Sequence, residues 1–379
     1  MKLSFLLKFA AVAAGLFLAA YIAAVANYTL PAYEVGVPQR PDPYGQFQYR
    51  GASHVHTRYS PDADATVSDV VVAARNNELD FLIVTDHNVL TAKKEEGYKD
   101  GLVFLAGSEI STDHGHFLSL GIGEELPDGD RRGSSYFAAA ARLGGFNVVA
   151  HPFAGRSRFE KLYAGGFDGI EVINLKETLE EAAQFPFISL ALALIAYPVS
   201  PRYAKLELYR RPAEALAFLD QALAHAPLTI MCGADYHGFP DGTIVLAQCA
   251  NHVLAPERMN GRFDHDSQLV MDAIRGRRVF VALDGIARAD GFSYACAAAP
   301  GGKGREVRIS LRSFPHPDLV SATLYWNGQK IGSKDGLREE WKAPIPGAGP
   351  VRIEVELQIP TLLKLSRKVS WIHAVACQD

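Results

Sequence analysis

The stretch FLIVTDHN, residues 81–88, decides the fold. Four apolar residues run without a break and then meet Thr85, Asp86 and His87. An apolar run this short suits a strand buried on both faces of a parallel sheet. The pattern returns along the chain. FQYRGASHVH (47–56) ends on His54 and His56, LVFLAGSE (102–109) on Glu109, and FNVVAH (146–151) on His151. LTIMCGADYH (228–237) ends on Asp235 and His237, and GIEVI (169–173) is a further run of the same kind. Helix-like stretches lie between several of them. SDVVVAARNN (68–77) opens with Ser68 as a cap, and SSYFAAAARLGG (134–145) opens with Ser134 or Ser135 and stops at Gly144. Alternating strand and helix predict an α/β architecture.

Residues at the C-terminal ends of parallel barrel strands converge on one face. His54, His56, Asp86, His87, Glu109, His151, Asp235 and His237 all follow apolar runs, and His114 and His116 flank another, FLSLG (117–121). A single histidine at a strand end is more often a hydrogen-bonded structural residue. His54-Val55-His56 is a better signal, because period-two geometry points both rings to one side. Five strand ends that all carry His, Asp or Glu argue against a purely structural barrel. Imidazole and carboxylate without thiolate suit Zn, Mn or Fe. The set exceeds one tetrahedral site, so two or three divalent ions are expected.

HVHT (54–57), TDHN (85–88), Glu109, HP (151–152) and DYH (235–237) resemble, in order and rough spacing, the motifs of the PHP (polymerase and histidinol phosphatase) superfamily. The similarity runs from about residue 50 to 290. GHFLSLG (115–121) is more similar to the CehA/McbA-type branch. The resemblance implies a distorted (βα)7 barrel of seven strands with up to three metals. By motif, His54, His56, Glu109 and Asp235 would hold the first metal. Glu109 would bridge to a second that also takes His116 and His151, and Asp62, His87 and His237 would hold the third. Asp64 competes with Asp62, and His114 with His116, which has the better-matching context. Asp86 reads as a residue that orients a ligand histidine.

Clustered metals lower the pKa of bound water and neutralise an anionic substrate. The expected activity is hydrolysis of a small-molecule phosphate ester, with Glu109 and Asp235 catalytic through the metals they hold. Arg58 and Arg156 lie beside motif residues, where a guanidinium can hold phosphate by paired hydrogen bonds; exposed surface charge is the plain alternative. Lys176 is a weaker candidate of the same kind. The same site on carboxylic, carbamate or amide esters is the second reading, and a non-catalytic metal-binding envelope module the third.

The chain has 379 residues and a net charge of −4, with no long basic run, so nucleic acid is not an expected partner. No protein partner is indicated. Phe9–Ala26 carries no charge and follows Lys2 and Lys8, which predicts a signal anchor or a signal peptide cleaved near Ala26. Either way the body is expected outside the cytoplasm, facing the periplasm or cell exterior. Residues 27–47 hold Pro31, Pro38, Pro41 and Pro43 and read as a linker. Residues 48–290 form the expected barrel domain, with a helical insertion over about 180–226. Within the insertion, FISLALALIAYPV (187–199) is too short to span a bilayer and reads as a core or interface helix, with a membrane-dipping surface as the alternative. Residues 291–379 alternate apolar and polar, turn at Asn327-Gly328, and predict a small all-β, sandwich-like domain. Cys232, Cys249, Cys296 and Cys377 have no CxxC spacing; a Cys296–Cys377 bridge would tie that domain's start to its end, and free buried thiols are the alternative.

Overall fold

The computed structural model describes residues 3–26, 40–132, 135–155, 158–159, 165–184, 186–239, 241–246, 248–299, 301, 304–312, 314–360 and 366–378. The chain opens with α1 (Leu3–Ala26), of which Leu7–Ala26 is long and apolar enough to cross a membrane. Then come β1 (Phe47–Val55), α2 (Val67–Asn76), β2 (Phe81–His87), β3 (Gly97–Lys99), β4 (Leu102–Thr112), β5 (Gly115–Leu120), α3 (Tyr136–Arg142), β6 (Phe146–Val149) and β7 (Gly169–Asn174). Four helices follow: α4 (Leu175–Ala182), α5 (Ile188–Ala196), α6 (Pro201–Leu208) and α7 (Ala213–Ala222). β8 (Thr229–Tyr236), α8 (Gly242–Val245), β9 (Ala250–Ala255), α9 (Phe263–Arg275) and β10 (Val279–Ala282) complete the barrel region. The rest is β11 (Phe292–Ala298), β12 (Arg305–Leu311), β13 (Val320–Trp326), β14 (Gln329–Asp335), β15 (Trp341–Ile345), β16 (Val351–Pro360) and β17 (Ser366–Ala376).

Seven strands close a barrel in the order β1-β2-β4-β5-β6-β7-β8, with β8 pairing back onto β1. It is a mixed barrel, not the expected regular (βα)7 array. β5 runs antiparallel to both β4 and β6, while the other barrel pairings are parallel. The cause is the short link Asp113-His114 between β4 and β5, which has no room for the crossover that parallel strands need. Reversal puts His116, at the start of β5, level with Ser111 near the end of β4. No α-helix separates β2 from β4; a single 3₁₀ turn at Thr91–Glu95 and the outer strand β3 fill that place.

The first half of β1 pairs with β9 and its second half with β8, so the sheet leaves the barrel along β9. It continues through β10, β17, β16, β13 and β14. β11, β12 and β15 form a separate antiparallel sheet. Phe292, Val307 and Ile309 of this smaller sheet share one apolar core with Ile353, Val355 and the fully buried Trp371 of the larger one. Disulfides join Cys296 to Cys377 and Cys232 to Cys249. The second had no counterpart in the sequence reading, because it joins the middle of β8 to the residue before β9, with α8 between them.

Two local expectations change. α2 is capped by Thr66 in a reciprocal box with Asp69, and Ser68 lies inside the helix. The stretch 187–199 is not a core helix. α5 buries only Ala193 and Ala196 and leaves Ile188, Leu194 and Ile195 exposed, as are Tyr197 and Val199 just beyond it.

Candidate metal centre

β1, β2, β4 and β8 all end at one mouth of the barrel, and β5 begins there. Their terminal residues meet around Glu109, whose side chain is buried. Its Oε2 lies 3.2 Å from His54 Nε2, 3.1 Å from His56 Nε2 and 3.2 Å from His87 Nδ1. Its Oε1 lies 2.8 Å from His116 Nδ1 and 3.1 Å from His151 Nε2. Asp235 faces the same histidines from β8: Oδ1 is 3.6 Å from His54 Nε2 and 3.9 Å from His56 Nε2. At the solvent edge, Asp62 Oδ2 stands 3.4 Å from His87 Nε2 and 3.5 Å from His237 Nε2.

These atoms group into four overlapping triads, each with ligand atoms within 4.8 Å of one another. They are His54-His56-Asp235, His54-Glu109-His151, His87-Glu109-His116 and His56-His87-His237. Eight of the nine residues read from the sequence as metal ligands belong to these triads, and the ninth, Asp62, borders them through His87 and His237. His116 rather than His114 reaches Glu109; His114 packs its ring near Tyr136. Asp62 rather than Asp64 faces the histidines; Asp64 is exposed, and its backbone amide donates to His237 O. His87 sits between groups, touching both Glu109 and Asp62.

The donor set fits divalent metal. His54 Nε2, His56 Nε2, His87 Nδ1, Glu109 Oε2 and Asp235 Oδ2 are buried atoms without a hydrogen-bond partner, and they point into the same space. Five such orphans in one cluster would be costly to desolvate with nothing to hold them. The metal-free electrostatics agree. Burial pushes His56 down, and pushes His87 down to about 4, so both are neutral donors near pH 7. Against the opposing effect of burial, His54 and its neighbours hold Glu109 well below the usual carboxylate range. Burial also opposes charge on His54, yet Glu171, Glu109 and Asp235 overcome it and raise its pKa well above normal. Three carboxylates around one imidazole call for positive charge.

The backbone is strained where the ligands converge. His54, Asp235 and His151 have φ of 59°, 49° and 28°, in the left-handed region that such residues rarely adopt. β1 is irregular between Ala52 and Val55, so period-two geometry alone does not align His54 and His56. The irregularity turns both rings inward, with centroids 5.2 Å apart.

The supporting residues were largely missed by the sequence reading. Glu171 is fully buried in β7, with Oε1 2.8 Å from His54 Nδ1 and Oε2 accepting from His151 N and Asn174 Nδ2 at 2.8 Å each. Its signal was a lone carboxylate inside the apolar run GIEVI. Asp86 acts one step further out than expected: it accepts from Ser60 Oγ at 3.0 Å, and Ser60 Oγ lies 3.0 Å from His56 Nδ1. With Nδ1 of His54 and His56 held by these oxygens, each Nε2 is turned toward the cluster. Arg58 is exposed and faces Asp69 electrostatically; Arg156 lies outside the described residues. Lys176, in the first turn of α4, is close enough to help stabilise the Asp235 carboxylate. Glu177, one residue on, accepts from Phe153 N at 2.6 Å, and burial pushes it up to about 7.

No protein-family model matches the chain, and no curated protein matches it. Among solved structures, it is similar to a two-domain protein from Bacteroides vulgatus described as containing a predicted PHP-like metal-dependent phosphoesterase. Identity is 17%, 89% of this chain and 99% of that chain are covered, and the TM-score is 0.41. The spore cortex lytic enzyme SleM of Clostridium perfringens matches at 10% identity and TM-score 0.19, over 89% of this chain and 100% of that one. At these TM-scores neither likeness adds weight to the chain's own geometry.

Proposed function

We propose that the chain is a membrane-tethered, metal-dependent phosphoesterase that works outside the cytoplasm. The observation that carries this reading is the convergence of five histidines on the two oxygens of the buried Glu109, with orphaned donor atoms around it. His54, His56 and Asp235 would hold one ion, His116 and His151 a second with Glu109 between them, and Asp62, His87 and His237 a third. Zn, Mn or Fe held there would bring a bound water to a pKa near neutrality and offset negative charge on a substrate. The motif resemblance to the PHP superfamily, and to its CehA/McbA-type branch, supports the same chemistry.

Each residue then has a task. Glu171 and Ser60 orient His54 and His56, so the cluster meets a ligand without rearrangement. Asp62, His87, His116 and His237 form the accessible side, where the ester enters. Lys176 supplies positive charge beside Asp235, whereas Arg58 faces Asp69. Hydrolysis adds water across the P–O bond: the hydroxide oxygen bonds phosphorus and the departing alkoxide takes the proton. The apolar α1 supports tethering, and two disulfides support an oxidising compartment.

Metal analysis of the purified full chain, followed by a panel of phosphate esters and an aryl carboxylic ester, tests the reading. Two or three ions per chain and phosphate release are expected. Fewer than about one ion would refute the multinuclear centre. Turnover of the carboxylic ester alone, or no phosphate turnover after metal is restored, would refute the phosphoesterase.

A further inference from the structure

The chain carries an apolar surface that its core does not use, at the same end of the barrel as the metal centre. α4 starts directly after Asn174, three residues beyond Glu171, so it leaves the barrel at the metal end. α7 packs along β7 and returns the chain to Thr229, the first residue of β8 and hence the opposite end. Its ten residues span about 15 Å, so it begins near the metal end again. α5 and α6, held between those two points, sit at that end too.

α1 packs on this pair. The Tyr21 hydroxyl donates to Leu192 O at 3.0 Å, and Val25 is buried with Ala193, Ala196 and Ala204. Nearer its start, Leu7, Phe9, Val12, Leu16 and Phe17 are exposed, and they belong to the segment long enough to cross a bilayer. α5 therefore lies where α1 would emerge from lipid. It is far too short to span, yet Ile188 and Leu194 are 60% and 66% exposed. A short apolar helix beside a spanning one suits the headgroup boundary. The exposed Arg210 donates to Ser189 Oγ at 2.8 Å, where a guanidinium can reach phosphate headgroups while its stem stays on apolar surface. On the rim of the metal centre, two residues past His237, Phe239 is 90% exposed.

We infer that the metal centre opens toward the bilayer that α1 enters, with α5 seated in the headgroup region, and that the ester it hydrolyses is carried on a lipid. The placement follows from α1, α5 and the barrel topology; the substrate class rests on the phosphoesterase reading above. The reaction is unchanged: water adds across the P–O bond, and phosphate and a lipid alcohol, or their diester equivalents, separate.

The test uses the full chain in lipid nanodiscs. In Leu194→Trp, fluorescence is expected to be quenched by brominated lipid well beyond the signal of the three native tryptophans. The double variant Ile188→Glu, Leu194→Glu changes only exposed side chains and is expected to keep its Tm. It should lose about tenfold in hydrolysis of a lipid-borne phosphate ester, because the charges lift the mouth from the membrane. Hydrolysis of a soluble aryl phosphate should stay within about twofold. Absence of quenching overturns the placement, including the outcome in which a second copy of the chain covers α5 and cross-links to it. Quenching with turnover of the soluble ester but not the lipid ester overturns the substrate class. Turnover of neither ester by the metal-loaded wild type overturns the phosphoesterase reading itself, while the quenching result still decides the placement.

Discussion

Glu171 Oε1 lies 2.8 Å from His54 Nδ1, and both side chains are fully buried. One carboxylate thus fixes the tautomer of the histidine that touches both Glu109 and Asp235. Carboxylates behind metal-bound histidines typically account for about 10–100-fold in metal affinity. Glu171→Gln keeps the volume and removes the charge, so metal affinity should fall within that range while the fold persists. Metal titration of the variant, with Tm as control, checks this; unchanged affinity would show that Glu171 only fills space.

Gly233 explains how Glu171 fits. A Cβ at residue 233 would stand 2.1 Å from Glu171 Oε1, so the carboxylate occupies room that only glycine leaves. Gly233→Ala should push Glu171 off His54 and lower metal affinity as Glu171→Gln does. It should also cost about 1–3 kcal/mol of stability, because the barrel interior has nowhere to expand. Chemical denaturation of the metal-free protein measures the second effect. Wild-type stability together with wild-type affinity would contradict the packing described.

Glu109 stands between triads, which predicts a non-additive loss. Glu109→Ala should remove more than one ion per chain, since His54, His56 and His87 face one of its oxygens and His116 and His151 the other. Loss of a single ion, counted by elemental analysis against His237→Ala, would refute bridging.

What the sequence disclosed follows from burial. Strands covered on both faces are written as apolar runs, so a carboxylate or imidazole that breaks a run at its end stands out, as His54, Glu109 and Asp235 do. Glu171 did not, because it lies within its run and its partner His54 is 117 positions away, across the closure of the barrel. Ser60 was silent for a similar reason, since a hydroxyl between Asp86 and His56 looks like any loop serine. The reversal of β5 was not read: Asp113-His114 shows as a hairpin link only once the ends of β4 and β5 are known, and the run of apolar strands suggested a regular parallel array instead. α5 misled by composition alone: apolar content reads as core, but burial depends on what packs against it, and Ile188 and Leu194 stay exposed. The second disulfide needed the β8–β9 geometry that only folding supplies.

A last prediction concerns acid stability away from the metals. His373 is fully buried in β17, beside Ser370 Oγ at 3.3 Å, and burial pushes its pKa down to about 4 even with Glu354 nearby. An unfolded histidine titrates near 6.5, so between those values the unfolded chain binds one more proton than the folded one. Stability therefore rises with pH across that window and is lost as pH falls through it, at a slope approaching about 1.4 kcal/mol per pH unit. Glu354 acts in a lower window: burial opposes its charge, but Arg211 and Ser370 hold it down to about 2. Its contribution is present above the usual glutamate range and is lost only as pH drops toward 2. Above pH 4 His373 is neutral, so Arg211 rather than His373 sustains that carboxylate. Urea unfolding of chelator-treated protein from pH 7 to 4, wild type against His373→Gln, isolates the histidine. The variant should lose about one proton's worth of slope; parallel curves would show that His373 does not stay neutral in the fold.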